Sequence, residues 1–152
     1  MRITILAIGR AKASPESALF EHFVRRLTWP LALREFEEKR ALPPARRIAS
    51  EGKMLLDALP EAAKAVVLDE RGASIGSADF AARLGQWRDE GAQDICFLIG
   101  GADGHAPEAR ARADLLLGLG RMTWPHLLVR ALLAEQLYRA QSILAGHPYH
   151  RG

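Results

Sequence analysis

Five short runs rich in apolar and β-branched residues punctuate this chain: RITILAI (Arg2 to Ile8), LALREF (Leu31 to Phe36), KAVVLD (Lys64 to Asp69), DICFLI (Asp94 to Ile99) and DLLLGL (Asp114 to Leu119). Each has the length of a strand, and each is separated from the next by a stretch with helical spacing. Strands that alternate with helices pair in parallel, and a parallel sheet is covered by its own crossover helices on both faces. The pattern therefore predicts an α/β fold with a parallel-rich sheet flanked by helices.

The connecting segments carry helix signals. Ser14-Pro15-Glu16 supplies an N-cap, a first-turn proline and a first-turn acid, and Leu19, Phe20, Phe23, Val24 and Leu27 follow at helical spacing until Trp29-Pro30. Arg40 to Arg47, with Pro43-Pro44, reads as a loop before a helix over roughly Ala49 to Leu59. Ser77 is expected to cap a helix through Asp89, and a short helix opens at Pro107. Pro125 fits the first turn of a last helix that runs to Leu144 and stops at Gly146. That helix carries two apolar stripes, one of Leu133, Leu137, Ala140 and Leu144, the other of Leu127, Ala131, Ala134 and Tyr138. Two such faces exceed what one sheet face needs, so one is expected to meet a second subunit. Glu135 and Arg139 stand four apart and can pair.

A chain of 152 residues, 49% hydrophobic, is sized for a single domain over 1–152 with its own core. The opening MRITILAIGRAK does not read as a signal peptide and no run approaches a membrane span, so a cytoplasmic protein without a membrane partner is expected. Cys96, the one cysteine, sits in an apolar run, which excludes internal disulfides and reads as a buried thiol. Net charge is +3. No lysine follows Lys64, whereas Arg110, Arg112, Arg121, Arg130, Arg139 and Arg151 crowd the last stretch. Arginine suits phosphate; a bias of composition toward Arg, Ala and Leu accounts for the count equally well.

Parallel α/β sheets bind ligands outside the carboxyl ends of their strands. Three such ends here are unusual: Leu68 to Gly72, the double glycine at Gly100-Gly101, and Gly118 to Trp124. Glycine weakens strands, so its presence marks a close approach of backbone to something else. Bare backbone at these ends would let N–H and C=O groups reach a flat heterocycle. Gly72-Ala73-Ser74-Ile75-Gly76 matches the G-x-S-x-G elbow of serine hydrolases, but also an ordinary strand-to-helix connection. Gly100 to Gly104 lacks the spacing of a dinucleotide fingerprint, and no phosphate-binding G-K-[ST] occurs. His147-Pro148-Tyr149-His150 lacks the further ligands of a metal site, and no metal is expected.

The runs FLIGGADGH (Phe97 to His105), GRMTWPH (Gly120 to His126) and RALLAEQLYRAQSILAGHPYHRG (Arg130 to Gly152), with MRITILAIG at the start and LDERG at Leu68 to Gly72, closely resemble the RlmH (YbeA) family, SPOUT-class methyltransferases of large-subunit ribosomal RNA. Residues 10–63 are only loosely similar. The resemblance implies a SPOUT-type sheet with a deep C-terminal trefoil knot, a homodimer, and S-adenosyl-L-methionine as methyl donor. Carried over by position, the cofactor contacts are Leu68, Gly100, Leu119, Gly120, Arg121, Met122, Thr123 and Trp124. Relatives commonly have serine at the positions of Gly118 and Gly120, so any hydroxyl contact there is lost while backbone recognition survives.

The reaction the resemblance implies is methylation of N3 of a pseudouridine in the intersubunit-bridge stem-loop of 23S rRNA within the 70S ribosome, with no DNA partner. Tyr149, His150 and Arg151 are the catalytic candidates, in a tail that in this family approaches the partner's cofactor site. His150 is placed to take the proton and Arg151 to hold a phosphate or base carbonyl. His126, beside the cofactor loop, reads as structural. Two rival readings stand beside this one: a non-catalytic RNA-binding dimer, and a serine hydrolase using Ser74.

Overall fold

The computed structural model describes residues 1–151. Its elements in chain order are β1 (Arg2–Ile8), α1 (Pro15–Val24), β2 (Leu31–Phe36), α2 (Pro44–Ala58), β3 (Lys64–Ala73), α3 (Ser77–Asp89), β4 (Asp94–Ile99), α4 (Pro107–Arg112), β5 (Leu115–Leu117) and α5 (His126–Leu144), followed by a 3-10 turn, Pro148–Arg151. The five strands form one sheet in the order β2-β1-β4-β3-β5, every pair parallel. The alternating apolar runs thus become the parallel sheet they predict.

Side chains of a strand alternate between faces, and the core divides accordingly. Ile3, Ile5 and Ala7 of β1 with Val66, Ile95 and Phe97 face Phe20 of α1, Phe80 and Leu84 of α3, and Leu133 and Leu137 of α5. Leu6 and Ile8 with Val67, Cys96 and Leu98 face Leu55 of α2. Three helices thus cover one face, and α2 with α4 the other. Cys96 is buried, and loss of hydration pushes its thiol up to about 11. No helix among the described residues is long and apolar enough to cross a membrane.

Several local expectations shift. Gly76, not Ser77, occupies the N-cap of α3; Ser77 instead donates its hydroxyl to Gln136 Oε1 of α5 at 2.7 Å. Pro125 is the N-cap of α5 rather than part of its first turn. Helix α2 begins at Pro44, inside the expected loop, because a proline at the first helical position costs no hydrogen bond. Strand β5 is shorter than its apolar run: its pairing with β3 jumps from Leu68 to Ala73 opposite Leu117, and Gly118 N–H donates to the Ala73 carbonyl at 3.0 Å. Most of both apolar stripes of α5 is buried within the chain: the helix lies between α1 and α3, so Ala131, Ala134 and Tyr138 are buried as well as Leu133, Leu137 and Ala140, while Leu127 and Leu144 are half-buried. Packing within the chain thus accounts for Ala131, Ala134 and Tyr138 of the second stripe.

Candidate functional site

The carboxyl ends of β3, β4 and β5 and the first turn of α5 enclose a cavity of about 470 Å³. That is the size of a small-molecule site. Of the residues expected to contact a cofactor, Leu68, Gly100, Leu119, Gly120, Met122, Thr123 and Trp124 line it, while Arg121 lies in the same loop, exposed, and does not. Trp124 indole N–H donates to the Leu119 carbonyl at 3.1 Å, which closes the loop on itself. Met122 is 74% exposed and Trp124 40%, so the loop holds two large apolar side chains open to water. An exposed apolar pair of this kind marks a binding surface.

The glycines have separate reasons. Gly120 has φ +95°, a conformation few residues with a side chain adopt. Gly72 faces the backbone of Leu117 and Gly118 so closely that a Cβ there would lie 2.4 Å from the Leu117 carbonyl carbon. A Cβ on Gly100 would come within 3.2 Å of the His105 ring. These contacts explain the bare backbone at Gly72 and Gly100 by packing, and leave the pocket side of each loop uncluttered.

Asp69, at the rim, accepts from Arg71 N–H at 2.8 Å and from Arg110 Nε at 2.7 Å. Desolvation opposes its charge, but these donors hold its pKa below the ordinary carboxylate value. His105 is buried beneath Gly100, and burial depresses its pKa, so it is neutral. Behind the double glycine, Glu51 of α2 is buried with Oε2 unpaired; desolvation, then Asp103 and Glu38, raise its pKa.

Beyond the cavity, Arg130 is 2% exposed and donates to Glu35 Oε2 at 2.7 Å and to the Gly9 carbonyl at 2.8 Å. Desolvation works against the Glu35 charge, yet the Ala11 N–H and Arg130 hold its pKa below the ordinary value. This pair ties the start of α5, and so the loop before it, to the ends of β1 and β2. None of Asp69, His105, Arg110, Glu35 or Arg130 was singled out by local motif, because their partners lie far away in the chain: 41 residues separate Asp69 from Arg110 and 95 separate Glu35 from Arg130.

The tail candidates lie elsewhere. Tyr149 donates to Glu135 Oε1 at 3.1 Å and packs edge-on against Tyr138 with ring centroids 4.7 Å apart. Glu135 also pairs with Arg139 at 2.6 Å, as their spacing predicts. The guanidinium groups of Arg139 and Arg26 lie 4.9 and 5.4 Å from the Tyr149 ring centre. Desolvation and the Glu135 carboxylate raise the Tyr149 pKa. His150 and Arg151 are exposed. The tail folds back along α5 only as far as Glu135, in the middle of the helix, and none of the three lines the cavity of their own chain. Ser74 is exposed and, among the described residues, hydrogen-bonds to no histidine, which leaves the hydrolase reading without a base. No cluster of three or more metal-ligating side chains occurs among the described residues.

A family profile described as "Predicted SPOUT methyltransferase" matches residues 1–150. The chain belongs to this family. It is 63% identical over 151 residues, 99% of either chain, to the ribosomal RNA large subunit methyltransferase H of Paramagnetospirillum magneticum, and 55% identical over the same span, again 99% of each, to that of Rhodospirillum centenum. Among solved structures, a ribosomal RNA small subunit methyltransferase E from Neisseria gonorrhoeae, bound to S-adenosyl methionine, aligns with TM-score 0.50 at 13% identity, covering 94% of this chain and 67% of that one. At that identity the likeness is one of fold. This SPOUT methyltransferase thus carries the family's sheet with its cavity at the strand ends.

Proposed function

We propose that the protein transfers the methyl group of S-adenosyl-L-methionine to N3 of a pseudouridine in the intersubunit-bridge stem-loop of 23S rRNA. Its substrate is the assembled 70S ribosome, and it works as a cytoplasmic homodimer of single SPOUT domains. One observation carries the reading. In a chain so closely related to large-subunit rRNA methyltransferases, the residues assigned to the cofactor, all but Arg121, converge on one cavity.

The cavity fits that cofactor. Its wall is apolar at Leu68, Ile99, Leu117 and Val129, it presents loop backbone at Gly100 and Gly120, and Glu70 and Asp103 line it beside the Asp69–Arg110 pair, offering carboxylates to a sulfonium cation. When bound, S-adenosylmethionine supplies an already activated methyl, so that alignment and exclusion of water are what the chain must provide. Loop 118–124, read as the knotted segment, is held closed by Trp124 on Leu119 and from behind by Gly72. Held in this way, the loop would orient a bound cofactor for transfer.

The tail reaches a pocket only across a dimer. A second copy related by a two-fold axis, with α5 antiparallel to its mate, brings Tyr149, His150 and Arg151 to the partner's cavity. Arg151 then holds a phosphate or base carbonyl, and the packed Tyr149 sets where the tail points. A protein of this size has little surface for reading sequence, so arginines supply electrostatic attachment and the particle supplies the shape.

The test incubates the protein and labelled S-adenosylmethionine with 70S ribosomes from a strain lacking this modification, and with free 23S rRNA alongside. N3-methylpseudouridine, identified by mass spectrometry in the ribosome sample alone, is the expected product. Transfer to neither sample, or to another nucleoside, refutes the reading.

A further inference from the structure

Methylating an imide nitrogen requires its proton to leave, and an imide N–H is too weak an acid to ionise unaided at neutral pH. The chain has five histidines. His22 packs edge-on against Phe23, 5.1 Å away on α1. His105 lines the cavity and neither of its ring nitrogens has a hydrogen-bond partner among the described residues, but it is only 5% exposed, covered by Gly100. In the tail, His147 Nδ1 accepts from Tyr149 N–H at 3.2 Å and His150 Nδ1 lies 2.9 Å from the His147 carbonyl. His126 is the cavity histidine that substrate can reach: it stands beside Met122 and Thr123, is open to solvent, and forms no hydrogen bond among the described residues.

Its setting is built. The imidazole rests against the end of β1, where Gly9, with φ +95°, leaves it room; a Cβ there would stand 3.3 Å from Nε2. One turn along α5, the buried Arg130 is locked by Glu35 and the Gly9 carbonyl. Partial burial, and then the Arg130 guanidinium, lower the His126 pKa below its ordinary value, so the ring is in its basic form at neutral pH. The other charged groups around it are Glu35, which offsets Arg130, Arg10 paired with Glu37 beyond Gly9, and across the cavity Glu70, Arg71, Asp103 and the Asp69–Arg110 pair. Asp69 is engaged by Arg110 and is the weaker base for it.

Resting on the methyltransferase reading, we propose that His126 is the catalytic base that takes the N3 proton of the target pseudouridine. The N3–H bond breaks and the proton passes to an imidazole nitrogen of His126. The electron pair on N3 forms the new N–CH3 bond while the methyl–sulfur bond breaks, its pair remaining on sulfur as a thioether. The imidazolium then releases its proton to water. His126 therefore does more than start a helix.

The experiment compares wild type, His126→Gln and His150→Gln in methyl transfer to 70S ribosomes at saturating cofactor, from mildly acid to mildly alkaline pH. Wild type should show a rate that rises with pH along a limb set below the ordinary histidine pKa. His126→Gln should lose roughly 100-fold or more in rate and lose that limb, while its affinity for S-adenosylmethionine by calorimetry changes by less than about threefold. His150→Gln should lose rate and keep the limb. In cofactor-free wild type labelled with 15N-histidine, NMR should report a neutral His126 ring at pH 7. A His126→Gln protein that keeps either rate or limb, or that loses cofactor affinity in proportion to rate, overturns the assignment. So does a His126 ring found protonated at neutral pH, a result that stands even if His126→Gln does not fold. A wild type that transfers nothing refutes the methyltransferase reading itself.

Discussion

Replacing Gly72 by alanine tests how the cavity is held. A Cβ at this position would lie 2.4 Å from the Leu117 carbonyl carbon and 2.5 Å from Gly118 N, where ordinary contact begins at 3.4 Å. The end of β3 and the backbone after β5 must therefore separate by about 1 Å, the difference between those distances. Neither side can yield by rotating a side chain, because both are main chain. Gly118 is equally constrained, since its own Cβ would stand 2.9 Å from the Gly72 carbonyl oxygen. Overpacking of this kind costs ~2–3 kcal/mol, toward the upper end of its usual range. For a chain of this length each kcal/mol lowers Tm by ~2–4 °C, so Gly72→Ala should melt ~4–12 °C below wild type. Because loop 118–124 leaves directly from this contact, affinity for S-adenosylmethionine should fall about tenfold or more, equivalent to ~1.4 kcal/mol. Differential scanning calorimetry and titration calorimetry measure the two effects. Gly76→Ala is the control: its nearest contact is Asp79 Oδ2 at 3.8 Å, and a change at a helix N-cap should cost at most ~1 kcal/mol. If Gly72→Ala matches this control in both assays, backbone contact at Gly72 does not hold the loop.

Glu35→Gln strips the buried Arg130 of its counter-charge and should cost ~3–5 kcal/mol in denaturant unfolding. The wild-type folded pKa of Glu35 lies below its unfolded value, so this contribution is present at neutral pH and fades as pH falls through the folded pKa; variant and wild type should converge in acid. Glu51 has the opposite sign. Its folded pKa lies above the unfolded value, so stability is whole below the ordinary carboxylate range and is lost as pH rises through the folded pKa. Glu51→Gln should therefore raise Tm by ~1–4 °C at neutral pH, with the gain gone near pH ~4; a gain that persists in acid contradicts the assignment to charge. Deleting residues 147–152 should abolish methyl transfer and leave cofactor affinity within about threefold, because none of residues 147–151 lines its own chain's cavity; full activity of the truncated protein rules the tail out.

The local code of this chain was legible as far as interactions between near neighbours reach. Strand runs of Ile, Val and Leu, the Ser14 N-cap and the Glu135–Arg139 pair all depend on residues a few positions apart. Loop 118–124 stood out because Gly118 and Gly120 are anomalous in an apolar run, and the structure puts most of it on the cavity; the chemistry proposed for it came from a likeness in motif. Gly72 illustrates where such reading stops: in the sequence it is half of a hydrolase-like elbow, and in the fold it is the point where two backbones touch.

Residue type and spacing therefore determined that this chain makes a parallel sheet covered on both faces, with bare backbone at its strand ends. The tertiary structure decided that most of both stripes of α5 is buried between α1 and α3, that Glu35 holds Arg130 across 95 residues, and that His126 opens on the cavity while His150 does not line it. The physical reason is one of range. Periodicity and capping act within a turn or two, whereas burial, charge pairing and the position of a ring nitrogen depend on which distant segments the packed sheet brings together.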